Sequence, residues 1–382
     1  MAKWWCLLLL GVGPVGSGQR AELDRLVAQS VRLREQDDFA KITRPDWTDL
    51  KHALRDWIES RLPASLPALD REYQGLEAHL TAELRSAGVF EPATPGGEAG
   101  YVSSVKLSRP AEYPGALMVG AGVTVPCGSD VSIYLYRFRA DSRARLLEAD
   151  GTHEWGSGVA ETLFSVPDTL GRHLFYASWY GVQCGSGWDV LDYRLFRIEA
   201  KSGRAVPIFS GSHTYALFDA QAKLTPGDML LELQAEALEA GWRRTYVMHY
   251  SIGGDGVQRV DPVALQPQDF VHEWMIRPWE EMQPRSSDSL EKWHKFLHAD
   301  YVFGKYEFAQ PCVEPPGMTQ IGVTLGNVGE REMPEPLRVY LLVEDHGSYG
   351  YKMSGISFGR QEGCPGETQT TYENPPSLFP KK

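Results

Sequence analysis

A short apolar strand pattern recurs three times in the middle of this chain, and it restricts the fold more than any other feature. Its copies are YLYRF at 134–138, RLFRI at 194–198 and MHYSI at 248–252, and they end 60 and 54 residues apart. Turn residues rich in Gly, Asp and Ser follow each copy, and an aliphatic position comes next. Apolar alternation on both sides of such a turn predicts a β-hairpin.

Two further apolar strands precede each hairpin. They cover 101–107 and 116–125, 161–166 and 173–182, and 215–223 and 228–238. Four short antiparallel strands in every ~55 residues are typical of propeller blades. We therefore predict three blade-like, four-stranded repeats over 101–262. The stretch 229–238 is also compatible with a helix, because Leu, Glu and Ala dominate it.

This central pattern resembles that of β-propeller proteins, in which an aromatic-flanked strand turns through a Gly/Asp pair into an outer strand. Propellers have four to eight blades, so three repeats do not close a ring. The resemblance implies either that the remaining chain completes the closure or that the blades form an open stack of sheets.

The flanking regions have other periodicities. Apolar residues at helical spacing predict a helical segment over 19–91, and PATPGGEAG at 92–100 has the composition of a linker. Two helices and four strands predict an α+β module over 263–366, which loosely resembles the NTF2-like fold, before a polar tail over 367–382. The predicted fold class is multidomain and mainly β, with a helical N-terminal segment.

The N-terminus has the features of an export signal over 1–18. Lys3 precedes an apolar run, and the small residues Gly16 and Gly18 suit cleavage before Gln19. The run is shorter than the ~20 residues that cross a bilayer. We expect a secreted or periplasmic protein with no membrane insertion once the signal is removed. The chain, including QPQDF at 266–270, is similar to uncharacterised exported bacterial proteins, and that similarity implies no activity.

Four cysteines remain after signal removal: Cys127, Cys184, Cys312 and Cys364. In an oxidising compartment they predict two disulfides out of three possible connectivities, with free thiols as the alternative. Cys127 and Cys184 follow the second strand of the first two blades, so a bridge between them would join neighbouring blades. A bridge between Cys312 and Cys364 would then attach the tail to the C-terminal module.

Aromatic side chains crowd the second blade at Trp179, Tyr180, Trp188 and Tyr193. Aromatic rings bind sugars and peptides by stacking, which makes these four residues the candidate ligand-binding platform. The alternative is that they are core residues, because alternate positions of a strand face the interior.

His294 and His298 are four residues apart on a predicted helix, so both imidazoles share one face. That spacing suits a zinc ion, with Asp300 as a third ligand. The glutamate base of an H-E-x-x-H site is absent, since Lys295 follows the first histidine. A solvated helix face is the alternative, and no cofactor is expected.

The net charge of −12 predicts that the chain has no nucleic-acid partner, since phosphate binding needs a basic surface. The GISFG sequence at 355–359 spells G-x-S-x-G, but no histidine follows it in the chain, so a hydrolase triad is not indicated. We therefore predict a non-catalytic binding or scaffolding protein of the cell envelope or extracellular space, with a protein or saccharide partner. The alternative is a secreted hydrolase acting on a saccharide or peptide polymer.

Overall fold

The computed structural model shows a mainly β protein with three helices near the N-terminus and further helices before the last sheet. The residues it describes are 17–36, 42–92, 99–126, 128–151, 158–182, 189–199, 203–237, 242–254, 256–260, 264–327, 337–347 and 350–364. The chain divides into two compact units. One comprises Met1–Val159, Trp179–Cys184 and Gly203–Ala205, and the other comprises the rest.

Three helices open the first unit: α1 (Ser17–Arg34), α2 (Arg44–Arg61) and α3 (Leu66–Ser86). Helix α2 begins at a capping box, in which the Asp46 carboxylate accepts a 2.9 Å hydrogen bond from the Thr43 backbone N–H. The chain leaves α3 through Gly88, whose φ of 72° favours glycine. These helices agree with the predicted helical segment.

The first sheet is antiparallel, in the order β1-β2-β3-β4. Its strands are β1 (Val102–Ser108), β2 (Ala116–Val125), β3 (Gly128–Phe138) and β4 (Arg143–Asp150). One face packs against the helices in a shared core that includes Leu54, Trp57, Leu80, Val119 and Tyr136. The four-stranded sheet predicted for the first repeat is confirmed.

The second and third repeats do not form separate sheets. Their strands make one seven-stranded antiparallel sheet in the order β11-β10-β9-β8-β7-β6-β5. The strands are β5 (Gly158–Phe164), β6 (His173–Val182), β7 (Asp189–Ile198), β8 (Ala205–Leu224), β9 (Asp228–Ala237), β10 (Trp242–Gly253) and β11 (Gly256–Val260). The two repeats share β8, whose 20 residues continue where a break between blades was expected. The helix alternative for 229–238 is wrong, because β9 is a strand.

The C-terminal part consists of α4 (Pro267–Ile276), α5 (Trp279–Met282), α6 (Glu291–Asp300) and a four-stranded antiparallel sheet. The sheet contains β12 (Tyr301–Pro311), β13 (Met318–Asn327), β14 (Leu337–Asp345) and β15 (Tyr351–Ser357) in sequential order. Helix α4 ends just before Pro278, because proline cannot continue the helical hydrogen bonds. The helices cover one sheet face, with Phe270 and Trp274 in the core between them.

A disulfide joins Cys312 and Cys364, as predicted. It lies against Met318 and Leu342 on the sheet face opposite α4. Cys127, Cys184 and Trp188 lie outside the described residues, as do most of the predicted signal segment and the polar tail. Of the helices in the described part of the chain, none is both long and apolar enough to span a membrane.

Candidate functional site

Two of the four aromatic residues predicted to form a ligand platform are core residues. Trp179 is fully buried, and its indole N–H donates a 3.0 Å hydrogen bond to the Val131 carbonyl oxygen. Tyr193 is also buried, at 1% exposure. Neither ring presents a face to a ligand, so an exposed platform built on these two residues is wrong. Tyr180 is half-buried, and its role in binding stays a prediction.

The two histidines predicted to bind a metal stack on each other, with ring centroids 5.7 Å apart. His294 Nε2 lies 2.7 Å from the Trp274 carbonyl oxygen, and His298 Nδ1 lies 2.9 Å from that of Met275. Each of these nitrogens must carry a proton to donate to a carbonyl, so only the opposite nitrogen of either ring could bind a metal. Burial also lowers the pKa of His294. The pair therefore connects α6 to α4.

The described part of the chain contains no group of three or more His, Cys, Asp or Glu side chains that could hold a metal ion. Asp300, the predicted third ligand, is the last residue of α6. His294 is also not on a solvated face, because it is 1% exposed. Helical spacing correctly placed the two imidazoles side by side, but the surrounding helices determine what they contact.

A buried ion cluster connects α2 to the first sheet. The Lys51 ammonium lies 2.9 Å from Asp130 Oδ2 and 3.1 Å from Asp150 Oδ1. Burial raises the pKa of Asp130, against the attraction of Lys51, and the nearby Asp150 raises it further. The two catalytic carboxylates of a glycosidase lie on opposite sides of the bond that is cut, with room for the substrate between them. Here the ammonium occupies the space between the two carboxylates, so the cluster is suited to holding α2 in place.

A second polar cluster lies in the seven-stranded sheet. The Tyr193 hydroxyl is 2.9 Å from the Tyr250 hydroxyl and 3.1 Å from His213 Nε2. Burial lowers the pKa of His213 to about 4, and the positive charge of Arg259 adds to that effect. His213 is therefore neutral at pH 7. Gly211 makes room for the cluster, because a Cβ at this position would overlap the Tyr193 ring.

An open groove runs between α3 and the edge strand β1, with a volume of about 720 Å³. Ligand sites in proteins commonly have volumes of 300–1,000 Å³. Small side chains of α3, namely Ala78, Thr81 and Ala82, keep the helix wall low. The full lining is Tyr73, Gln74, Glu77, Ala78, Thr81, Ala82, Arg85, Phe90, Ser103, Ser104, Val105, Lys106 and Leu107. We call this feature the α3–β1 groove.

The outer edge of β1 is only partly hydrogen-bonded. At one end, the Val102 N–H donates to the Val89 carbonyl, and the Val102 carbonyl accepts from the Glu91 N–H. At the other end, the Leu107 N–H donates to Glu77 Oε2 at 2.9 Å. Alternate residues of an antiparallel edge strand point their backbone groups outward, and Val105 is the next such position. Val105 is 2% exposed and lies in the core shared with the helices, so its backbone groups are covered rather than open to a ligand.

Charged groups lie at both ends of the α3–β1 groove. Burial alone would raise the pKa of Glu77, but the Leu107 N–H and the Lys106 ammonium, 3.0 Å away, together lower it. The Arg85 guanidinium lies over the Phe90 ring, 5.0 Å from its centroid. The groove thus offers side-chain hydroxyl and amide groups and a cation over an aromatic ring.

The α3–β1 groove was not predicted from the sequence. The helix and the strand were predicted as separate elements, and the small residues four apart at Ala78 and Ala82 were the one available signal. Tertiary packing places β1 at the edge of its sheet. It also brings Glu77 to Leu107, although the two residues are 30 positions apart in the sequence.

Comparisons with known proteins do not identify the family of this chain. No family model matches the chain, and a search of the curated proteins finds no match. Among solved structures, the GH32 β-fructofuranosidase BmSUC1 of Bombyx mori is similar, with a TM-score of 0.25, 13% identity, and coverage of 69% of this chain and 63% of that one. A mutant of that enzyme in complex with sucrose gives a TM-score of 0.25, 12% identity, and coverage of 69% and 61%.

The chain thus spans about three-fifths of the length of these two structures. A likeness at this TM-score supports no conclusion about activity. The resemblance of the C-terminal module to the NTF2-like fold stays a prediction.

Proposed function

We propose that this chain is an exported, non-catalytic binding protein, and that the α3–β1 groove binds an extended polypeptide segment. The observation that carries the proposal is the open groove of about 720 Å³ between α3 and the edge strand β1, which is lined by apolar, hydroxyl and charged side chains. An extended peptide in such a groove is held mainly by contacts of its alternate side chains with the lining. Export is part of the proposal, and rests on residues 1–18 and on the Cys312–Cys364 disulfide.

The groove chemistry favours binding over hydrolysis. A secreted polymer hydrolase uses facing carboxylates, a metal, or a nucleophile next to a base in its cleft. The lining of the α3–β1 groove contains a single carboxylate, Glu77, and no histidine or cysteine. That carboxylate already accepts the Leu107 N–H and pairs with Lys106.

The test is a selection of short random peptides displayed on phage against the folded chain. Ala78→Trp fills the groove with an indole, whereas His79→Trp places the same side chain on an exposed neighbouring position that does not line it. Selected peptides should bind the wild type and His79→Trp and lose at least about tenfold in affinity to Ala78→Trp. Equal binding to both variants, or no selected peptide at all, would refute the proposal.

A further inference from the structure

Three aromatic side chains form an exposed patch beside the last sheet. Trp293 and Phe296 lie on α6, with ring centroids 6.3 Å apart. Phe358 directly follows β15, and its ring centroid lies 5.3 Å from that of Trp293. Phe358 is 56% exposed and Phe296 is 41% exposed, whereas Trp293 is half-buried against the core of the C-terminal part. We call these three residues the aromatic patch.

The geometry of the aromatic patch suits a proline-rich ligand. Single exposed apolar side chains are ordinary on protein surfaces, whereas contacting ones from separate elements mark an interaction site. The Trp293 ring meets those of Phe296 and Phe358 at 76° and 66°, so both contacts are edge-to-face. Rings at such steep angles leave notches between their faces instead of one flat platform. Proline-rich segments in the polyproline II conformation bind to aromatic-lined grooves.

The sequence supplies such a segment in the same chain. Residues 375–380 read PPSLFP, and we call them the proline segment. They contain the only leucine and the only phenylalanine of the otherwise polar stretch 367–382. Neighbouring prolines favour the polyproline II conformation before binding, so that less conformational entropy is lost when the segment is ordered. The proline segment therefore has both the backbone and the apolar side chains that the aromatic patch requires.

The proline segment can reach the aromatic patch. Cys364, the last described residue, is fixed by its disulfide to Cys312. It follows Phe358 by six positions, so the two Cα atoms are at most about 22 Å apart. Residues 365–374 allow Pro375 to lie up to about 36 Å from Cys364, which leaves length for a path around the sheet. The covalent connection also favours this segment over a separate molecule of the same chemistry.

We propose that the aromatic patch binds proline-rich apolar segments, and that the proline segment of the same chain occupies it. Trp293 and Phe358 supply the ring faces, and Leu378 and Phe379 supply the apolar side chains that pack against them. A proline-rich segment of another molecule binds only by displacing this one. The aromatic patch lies in the second unit and the α3–β1 groove in the first, so the two proposals stand or fail separately.

The experiment uses the full chain and a fluorescently labelled synthetic peptide with the sequence of residues 373–382. In the wild type the proline segment competes with the peptide, which should bind weakly. Phe379→Asp in the chain places a charge in the competing segment and leaves the aromatic patch open. This variant should bind the peptide at least about tenfold more tightly than the wild type, as measured by fluorescence anisotropy. A peptide that carries Phe379→Asp itself should bind to neither chain.

Adding Phe358→Ala to Phe379→Asp should remove peptide binding. Val313→Ala is the matched control, because Val313 is an apolar side chain outside the aromatic patch that is 68% exposed. Equal affinity of the wild type and Phe379→Asp for the peptide, or binding to neither, would overturn the proposal. Binding that survives Phe358→Ala would overturn it too, since the peptide would then bind elsewhere. A wild-type dimer in sedimentation equilibrium that becomes a monomer in Phe358→Asp would show that a second copy covers the patch instead.

Discussion

Replacing Lys51 by methionine should expose the energetic cost of the ion cluster between α2 and the first sheet. The ammonium is the shared partner of Asp130 and Asp150, and its side chain is 10% exposed. Methionine keeps the length and removes the charge, so Asp130 stays buried next to a like charge. Breaking a buried pair from one side costs about 3–5 kcal/mol. We expect a loss near the lower limit, about 3 kcal/mol, because Asp150 is 43% exposed.

The loss should depend on pH. Burial already raises the pKa of Asp130 in the folded protein, and removal of Lys51 raises it further. A raised folded-state pKa means that the neutral carboxyl favours the fold below the unfolded-state pKa of about 3.9, and that this benefit disappears as pH rises through the folded-state value. The variant should therefore be most destabilised at pH 7 and recover much of its deficit near pH 4.

The assay is urea unfolding followed by tryptophan fluorescence at pH 7 and pH 4. Lys295→Met is the matched control, since Lys295 is 59% exposed and solvent screens its pair with Glu291, so its replacement should change stability little. Adding Asp130→Asn to Lys51→Met should restore part of the stability at pH 7. A deficit of equal size at both pH values, or one no larger than that of the control, would refute the reasoning.

Three further changes test the packing of the second unit. Gly211→Ala should destabilise by about 1–3 kcal/mol, because its Cβ would overlap an aromatic ring, while Gly227→Ala, with open space around it, should change the urea midpoint little. The pKa of His213 is lowered from 6.5 to about 4, so stability is fully present above pH 6.5 and decreases by up to ~3 kcal/mol as pH falls to 4. His213→Gln should remove that slope in unfolding measured across this range, and an unchanged slope would contradict the assignment. Replacing Cys312 and Cys364 together by alanine should cost up to about 4 kcal/mol, given their separation of 52 residues, and a melting temperature equal to that of the wild type would disprove a structural role.

Periodicity in the sequence was enough to predict the strands of the central region. The first repeat folds as a separate four-stranded sheet, as its hairpins and turns indicated. The second and third repeats merge because residues 205–224 remain extended through Gly211. The small residues near Gly211 are equally compatible with a turn. The reason why the strand continues is visible only in the structure, where Tyr193 packs against Gly211.

The candidate sites were harder to predict, for a physical reason. Spacing determines which residues share a face, but tertiary packing determines whether that face meets solvent or core. Trp179 and His294 were correctly placed on strand and helix, and both proved to be buried with hydrogen-bonded ring nitrogens. The α3–β1 groove depends on two elements that pack together, so no local pattern describes it.

A titration of the folded chain with a selected peptide, followed by backbone amide chemical shifts, tests the central claim most directly. The amide signals of groove residues such as Ala78 and Lys106 should move until the peptide saturates, because the ligand contacts the groove lining. The amide signal of Lys295, on α6, should stay in place. A bound peptide that leaves the groove signals unchanged would contradict the account.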